Sequence, residues 1–364
     1  MFRLLRTALL ASACIFLPTI ALTTPTICNN SPGLCSKAYN NVTFLGAHDS
    51  PFLRNEATGY STSGNQYYNT TVQLDAGVRL LTAQIHKYNN TNTGATEWHL
   101  CHSSCLLLDA GTLSSWLTEI KTWMDGNPND VVTVLLVNSD GATAKQIGTE
   151  FTSSGITEYA YTPSVSAATA SWPTLGNLIS NNTRLVTFVA SLSSNADAPY
   201  LMDEFTYVFE NSYENTNASS FSCNPDRPSS LANSPSAALQ SNRLFLMNHF
   251  LYETQAFGIQ TPDAVNIQST NSVSNGIGAL GTRMSACASV YGVMPNFVLV
   301  DFFNVGPAIA SVDSANSVGT PVNRKSVSTA QLVKSSTSDG TELHRSRQSL
   351  FAVVVGMMLW ICVL

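Results

Sequence analysis

Positive charge is scarce in this sequence, and several common signatures are missing from it. The 364 residues carry 17 Lys and Arg against 23 Asp and Glu, and charged residues make up 11% of the chain. Nucleic acid is bound through clustered Lys and Arg, so it is excluded as a partner. Adsorption to anionic lipid through a basic patch is excluded on the same ground. No apolar run reaches the roughly 20 residues that a spanning helix needs. The Gly-x-Ser-x-Gly nucleophile elbow is absent, which counts against an α/β-hydrolase. The close cysteine pairs are spaced more widely than the Cys-x-x-Cys of zinc sites. No metal site and no cofactor is expected, with calcium left open. No internal repeat of solenoid period is present.

What is present begins with two apolar ends. Arg3 and Arg6 precede Ala8–Leu22, an uncharged run of the length of a signal-peptide core, and Thr19 and Ala21 suit a cleavage site. Residues 1–22 are expected to be a signal peptide rather than a buried N-terminal helix. Leu350–Leu364 is apolar and short for a membrane span. With the polar spacer Thr341–Ser349 and the small residues Ser338, Asp339 and Gly340 before it, it fits a GPI-anchor signal. Residues 341–364 are then removed on maturation; a short tail-anchor helix is the alternative. Outside these ends, which hold Cys14 and Cys362, six cysteines remain. An even set in a secreted chain reads as disulfides. Closeness in sequence favours Cys28–Cys35 and Cys101–Cys105, which leaves Cys223–Cys287. Asn-x-Ser/Thr sites at Asn29, Asn41, Asn69, Asn89, Asn181 and Asn217 offer N-glycan acceptors. The expectation is a secreted, cell-surface protein held to the plasma membrane by a GPI anchor. Removing both ends takes away Arg3, Arg6, Arg345 and Arg347 but only Glu342 among the acids, so the mature chain is more acidic still.

Residues 23–306 hold the apolar runs, and residues 307–340 form a Ser/Thr-rich stretch without aromatics that reads as a stalk. Strand-like runs occur at Val42–Gly46, Val78–Ile85, Val131–Val137, Arg184–Ala190, Tyr207–Glu210, Leu244–Phe250 and Phe297–Phe302. Several are near-continuous in Val, Leu and Phe, as in strands buried on both faces. Between them, Thr112–Met124 places Leu113, Trp116, Leu117, Ile120 and Trp123 on one helical stripe. Alternating strands and helices predict a single-domain α/β fold, a distorted (β/α) barrel of TIM type, with a doubly wound open sheet as competitor. Polar residues gather at the C-terminal ends of the strands: His48 and Asp49, Gln84 and His86, Asn138, Glu210 and Asn211, Asn248 and His249, and Asp301. In a parallel barrel those ends form one mouth, where active sites lie.

The sharpest motif is Leu45-Gly46-Ala47-His48-Asp49-Ser50, directly after the first strand. Gly77-Val78-Arg79-Leu80-Leu81-Thr82-Ala83-Gln84 follows, and then Trp98-His99-Leu100-Cys101-His102. Together they resemble the X domain of phosphatidylinositol-specific phospholipase C and related phosphodiesterases. The resemblance runs from Val42 to Asn138 and resumes at Pro295–Asn304. It implies a barrel that cleaves a phospholipid or other phosphodiester by attack of a neighbouring hydroxyl on phosphorus. One proton must be removed and another supplied, and imidazoles suit both tasks because their pKa lies near working pH. The resemblance makes His48 the general base and His102 the general acid, with Asp301 orienting His48 and Asp49 holding the phosphate-side network. Gln84, His86, Asn138, Glu210 and His249 are the candidate substrate contacts.

Departures from the family pattern are equally specific. Thr82 and Gln84 occupy the second-strand positions where bacterial members carry an Asp and a phosphate-binding Arg, and where calcium-dependent members carry carboxylate ligands. Asn138 stands where bacterial relatives have a Lys. Arg79 lies an odd number of residues from Thr82, so strand alternation turns it to the other face. His86, in register with Gln84, is the candidate compensating cation. A catalytically weak or inactive surface binding protein on the same barrel is therefore the alternative reading. A barrel glycosidase needs two carboxylates across the site, and Glu210 with Asp301 is the obvious pair. Gly276-Ile277-Gly278-Ala279-Leu280-Gly281 fits Gly-x-Gly-x-x-Gly, but the polar stretch before it is no strand, so it reads as a loop entering a helix.

Overall fold

The computed structural model describes residues 25–255 and 258–334. The whole of the expected signal peptide, residues 23 and 24 after it, the anchor signal and the end of the stalk lie outside the described residues. The apolar runs become β1 (Phe44–Ala47), β2 (Leu80–Asn89), β5 (Val132–Asn138), β6 (Leu185–Ala190), β9 (Leu244–Asn248) and β12 (Phe297–Val300), joined by the short β7 (Leu201–Asp203) and β8 (Val208–Glu210). These strands pair in parallel in the order β7-β6-β5-β2-β1-β12-β9-β8. β3 (Thr96–Cys101) and β4 (Asp109–Thr112) extend β2 as antiparallel hairpins, and β10 (Tyr252–Thr254) pairs with β11 (Gln260–Pro262). The sheet curls into a distorted TIM-type barrel, as expected, and the doubly wound alternative is set aside. Among the described residues the ring is not closed between β7 and β8, and a four-residue helix at Glu204–Tyr207 spans that seam. Tyr207 therefore ends a helix instead of opening a strand.

Strand alternation sorts the side chains. Phe44, Leu80, Leu135, Val208, Leu246, Phe297 and Leu299 form one apolar cluster inside the barrel, sealed at its N-terminal end by Tyr39 and Trp172. Leu45, Ala47, Leu81, Ala83, Val134, Leu136, Phe245, Val298 and Val300 belong to the other, against the outer helices. Gly46 has the inward parity, and a Cβ there would lie 2.8 Å from both Leu80 Cδ2 and Leu299 Cδ1. The outer layer comprises α1 (Thr70–Asp75), α2 (Leu113–Gly126), α3 (Ala144–Ser153), α4 (Leu175–Ser180), α5 (the seam helix Glu204–Tyr207), α6 (Pro235–Gln240), α7 (Ile267–Thr270), α8 (Leu280–Tyr291) and α9 (Ala308–Asn316). Helix α2 starts at Thr112, whose hydroxyl accepts from Ser115 N, and buries the expected stripe. The Gly-rich stretch at 276–281 is the loop that enters α8.

Two expectations change. The folded unit does not stop at residue 306. Helix α9 buries Ala308 and Val312 against the barrel, and Asn316 bonds both the N–H and the C=O of Thr43 at the foot of β1 (2.9 and 2.7 Å). A polar composition can dock in this way because its attachments are hydrogen bonds and small apolar side chains. Asn29 is 5% exposed, and its amide is engaged by Val131 N (2.7 Å) and Val131 O (3.3 Å), a setting that leaves no room for a glycan. The remaining sequons at Asn41, Asn69, Asn89, Asn181 and Asn217 are exposed. All three expected disulfides form: Cys28–Cys35, Cys101–Cys105 and Cys223–Cys287.

Candidate active site

β1 delivers His48 to the barrel mouth. His48 N donates to Val300 O (2.9 Å), which carries the strand pairing with β12 one residue further, and its ring stacks on Phe250 at 3.8 Å. Its Nδ1 lies 2.8 Å from Asp301 Oδ1, and Asn65 Nδ2 donates to the same oxygen at 2.9 Å. That contact fixes the ring orientation and leaves Nε2 facing the mouth. Gln66 braces the turn by donating to His48 O and Val300 O. Asp49 has φ +47°, a left-handed conformation that a non-glycine residue holds at a cost. It is secured by Asp49 N donating to Thr82 Oγ1 (2.8 Å) and by Gln84 Nε2 donating to Asp49 Oδ2 (2.8 Å).

His102 comes from the β3–β4 loop, which the Cys101–Cys105 disulfide closes. Phe52 packs edge-on against its ring, and Gln84 Oε1 accepts from the next residue, Ser103 N (2.9 Å). The two imidazoles meet at one atom: Asp49 Oδ2 lies 3.7 Å from His48 Nε2 and 3.7 Å from His102 Nε2. Their electrostatics diverge. For His48, burial disfavours the imidazolium, but Asp49 and Asp301, with help from Glu210, outweigh it and hold the pKa above the usual histidine range. For His102, burial prevails over the attraction of Asp49, and the nearby His48 adds to it, so the pKa falls. Between the histidines and the β7–β8 seam lies a cavity of about 350 Å³, floored by Leu135, Leu246 and Leu299. Its far wall carries Glu204, Glu210, Tyr213 and Arg227.

A family model described as PI-PLC X 1 matches residues 34–316. The chain belongs to the PI-PLC X family. A PI-PLC X domain-containing protein 1 of Arthroderma benhamiae is 37% identical over 291 residues, covering 80% of this chain and 89% of the relative. An uncharacterized secreted protein of the same fungus is 36% identical over 289 residues, covering 78% of this chain and 62% of the relative. Among solved structures, a phosphatidylinositol-specific phospholipase C of S. aureus aligns at a TM-score of 0.50 with 14% identity, covering 79% of this chain and 97% of the other. That likeness is one of fold.

In this PI-PLC X chain the candidate residues do not all converge. His48, Asp49, Gln84, His102 and Glu210 line the cavity, and Asp301 stands directly behind His48. Asn138, His249 and His86 do not line it. Asn138 shares the parity of Val134 and Leu136, which face the helices, and its amide closes the turn after β5 through Ala142 N and O (2.7 and 2.9 Å). His249 shares the parity of Phe245 and Met247. It is 1% exposed, stacks on Phe221 at 4.2 Å, and burial lowers its pKa to about 4. His86 has the inward parity, but β2 has by then left the barrel for its hairpin with β3, and Nδ1 lies 3.4 Å from Asp140 Oδ2. It therefore supplies no charge to the cavity. Arg79 is structural, bonded to Asp130 Oδ1 (2.7 Å) and Asn30 Oδ1 (2.9 Å).

Several contributors carry no motif: Asn65, Gln66, Phe250, Glu204 and Arg227. Each reaches the site from a loop or the seam helix, where no periodicity marks it. A calcium ion does not fit the residues present. Thr82 and Gln84 are neutral, and the Gln84 amide is held at both ends. Among the described residues, the group with metal-ligand spacing is Cys101, Cys105 and Asp109, whose cysteines are joined to each other. The glycosidase pair is also committed, Asp301 to His48 and Glu210 to Arg227.

Proposed function

We propose that this chain is a phosphodiesterase that cleaves a phospholipid-type diester by proton transfer between His48 and His102. The observation that carries the proposal is that both Nε2 atoms lie 3.7 Å from the same atom, Asp49 Oδ2, at the edge of the cavity. A phosphoryl group in the cavity beside that oxygen comes within reach of both rings. His48 Nε2 removes the proton of a substrate hydroxyl as its oxygen bonds to phosphorus. His102 Nε2 delivers a proton to the alkoxide that leaves as the second P–O bond breaks. Asp301 holds the His48 tautomer and stabilises the imidazolium that forms, and Asp49 keeps the two rings on a common axis. The relatives named for PI-PLC support a phospholipid as the substrate class.

The place of action we propose is outside the cell. A relative described as secreted, three disulfides and the apolar N-terminal run support secretion. A GPI anchor after the stalk and N-glycans on the exposed sequons belong to the same proposal. Among the described residues no helix is long and apolar enough to cross a membrane. Release of the protein from cells by a GPI-cleaving enzyme tests the anchor, and retention favours the tail-anchor helix.

The catalytic test is an assay of the secreted chain against a panel of phospholipids, with calcium and with chelator, beside His48→Ala and His102→Ala. Each substitution is expected to lower kcat by about 10²–10⁴-fold, the usual range for a lost acid or base. Variants that retain wild-type rates would remove the two histidines from the mechanism. One observation favours the alternative of a retained binding barrel: Thr82 and Gln84 provide no cation at the β2 positions. That reading predicts ligand binding with no turnover for any diester.

A further inference from the structure

Phosphoryl transfer builds negative charge on the non-bridging oxygens, and positive charge must meet it. On the histidine side of the cavity, Thr82 and Gln84 are neutral and already bonded within the protein. Among the described residues the cavity wall contains one Lys or Arg side chain, Arg227. It enters from the loop after β8, and its backbone is locked to the end of that strand: Glu210 N donates to Arg227 O (2.9 Å) and Arg227 N donates to Glu210 O (3.2 Å). The Cys223–Cys287 disulfide ties the same loop to α8.

The side chain is held with equal care. Its guanidinium lies over the rings of Tyr213 (4.2 Å) and Phe205 (5.4 Å), and Nη2 donates to Glu210 Oε2 (2.8 Å), which also accepts from Asn248 Nδ2 (2.6 Å). Stacking and a fixed carboxylate set the plane of the guanidinium before any ligand arrives. The side chain is 38% exposed and lines the cavity, so the ion pair does not bury it. Two polar atoms of the cluster, Arg227 Nε and Glu204 Oε1, are buried without a protein partner. Burial, and then the neighbouring Glu210, hold Glu204 well above the usual carboxyl range, so it keeps its proton. One carboxylate therefore faces one guanidinium, and Arg227 is not overwhelmed by negative charge. Glu210 also acts on His48 across the cavity, which places this cluster within electrostatic reach of the proton-transfer pair.

We propose that Arg227 contacts the phosphate of the bound diester, donating from its guanidinium to a non-bridging oxygen while His48 and His102 move the protons. The assignment rests on the phosphodiesterase reading above. It moves the positive charge from β2 to the loop after β8, on the opposite wall.

The test compares wild type, Arg227→Gln and Arg227→Lys on the best-cleaved substrate. Arg227→Gln is expected to lower kcat/KM by about 10²–10³-fold, the usual cost of one charge-stabilising donor, chiefly through kcat, and Arg227→Lys to recover part of it. Sulfur in place of the contacted non-bridging oxygen should slow wild type more than Arg227→Gln. A loss confined to KM with the sulfur effect intact assigns Arg227 to the headgroup and overturns the proposal. Arg227→Gln strands the buried Glu210, so Arg227→Gln/Glu210→Gln is measured beside it, with thermal melting as the check on folding. Should wild type cleave no diester, the phosphodiesterase reading fails on its own, and titration with dimethyl phosphate decides Arg227 separately. Binding at least tenfold weaker in Arg227→Gln supports the contact, and equal or undetectable binding in wild type overturns it.

Discussion

His48 and His102 face the same carboxylate oxygen, yet their surroundings drive their pKa values apart, and this divergence determines how the pair can work. A base must start neutral and an acid must start protonated. With His48 raised and His102 lowered, the form competent for the proposed reaction is the less populated one in the free protein. What is lost in population is offset in strength, since His48 is the stronger base and His102 the stronger acid for it. The pH profile of kcat/KM should then be a bell whose acid limb reports His102 and whose alkaline limb reports His48. Asp301→Asn tests this with a definite sign. Removing the Asp301 charge removes an influence that raises His48 both by its charge and by its hydrogen bond, so the His48 pKa falls and the alkaline limb moves to lower pH, while the acid limb, on which Asp301 acts by charge alone and behind Asp49, moves down less. The rate at the optimum should fall by about 10²-fold or more, because the tautomer is no longer held. A larger movement of the acid limb than of the alkaline limb would mean that His48 is the lower of the two, and the inverted arrangement would be wrong.

At the scale of strands, alternation is the rule that joins sequence to site. The barrel strands are legible because Val, Leu and Phe runs buried on both faces have few other readings, and the His48 motif is legible because it ends one of them. Parity goes further: Glu210 falls in step with Val208, Asp301 with Leu299, and both point inward, whereas Asn138 and His249 fall in step with helix-facing neighbours. Proximity to a strand end alone does not distinguish them. The seam cluster is not legible. Arg227 follows β8 by a loop, and only backbone pairing with Glu210 and a disulfide to a residue far along the chain bring it to the wall. Gly46 shows what the inward row demands. A Cβ there meets two leucine methyls at 2.8 Å, and crowding of a packed interior costs about 1–3 kcal/mol. Gly46→Val should lower the urea midpoint by that equivalent with the slope unchanged, and should lower kcat because His48 lies two residues on. An unaltered midpoint would show that the layer has room.

At the scale of the molecule, the segment after the last strand straps the barrel from foot to mouth. Asn316 caps the foot of β1, Val322 N donates to Asn30 O (2.8 Å), and Lys325 N donates to Asp75 O (2.9 Å). The strap then reaches the mouth side: Asn304 Nδ2, just past β12, donates to Ser328 O (2.8 Å), Gln331 Nε2 donates to Ala264 O (3.1 Å), and Leu332 packs against the cluster of Tyr67, Ile267, Phe302 and Val305. The chain thus leaves the described structure at the end that carries the cavity, where an anchor beyond it would hold the mouth toward the lipid. A strap of this kind contributes to stability and not only to placement. Asn316→Ala leaves the buried N–H and C=O of Thr43 without partners, at about 1–3 kcal/mol for each such group. Urea denaturation should register a destabilisation of that order. A chain ended after Gly306 should fare worse, since it also loses the burial of Ala308 and Val312, whereas one ended after Lys334 should melt like the longer chain. If ending the chain after Gly306 leaves stability intact, the segment is only a tether. If it does not, the segment is part of the fold, and an anchor placed beyond it would be joined to the same element that braces the barrel.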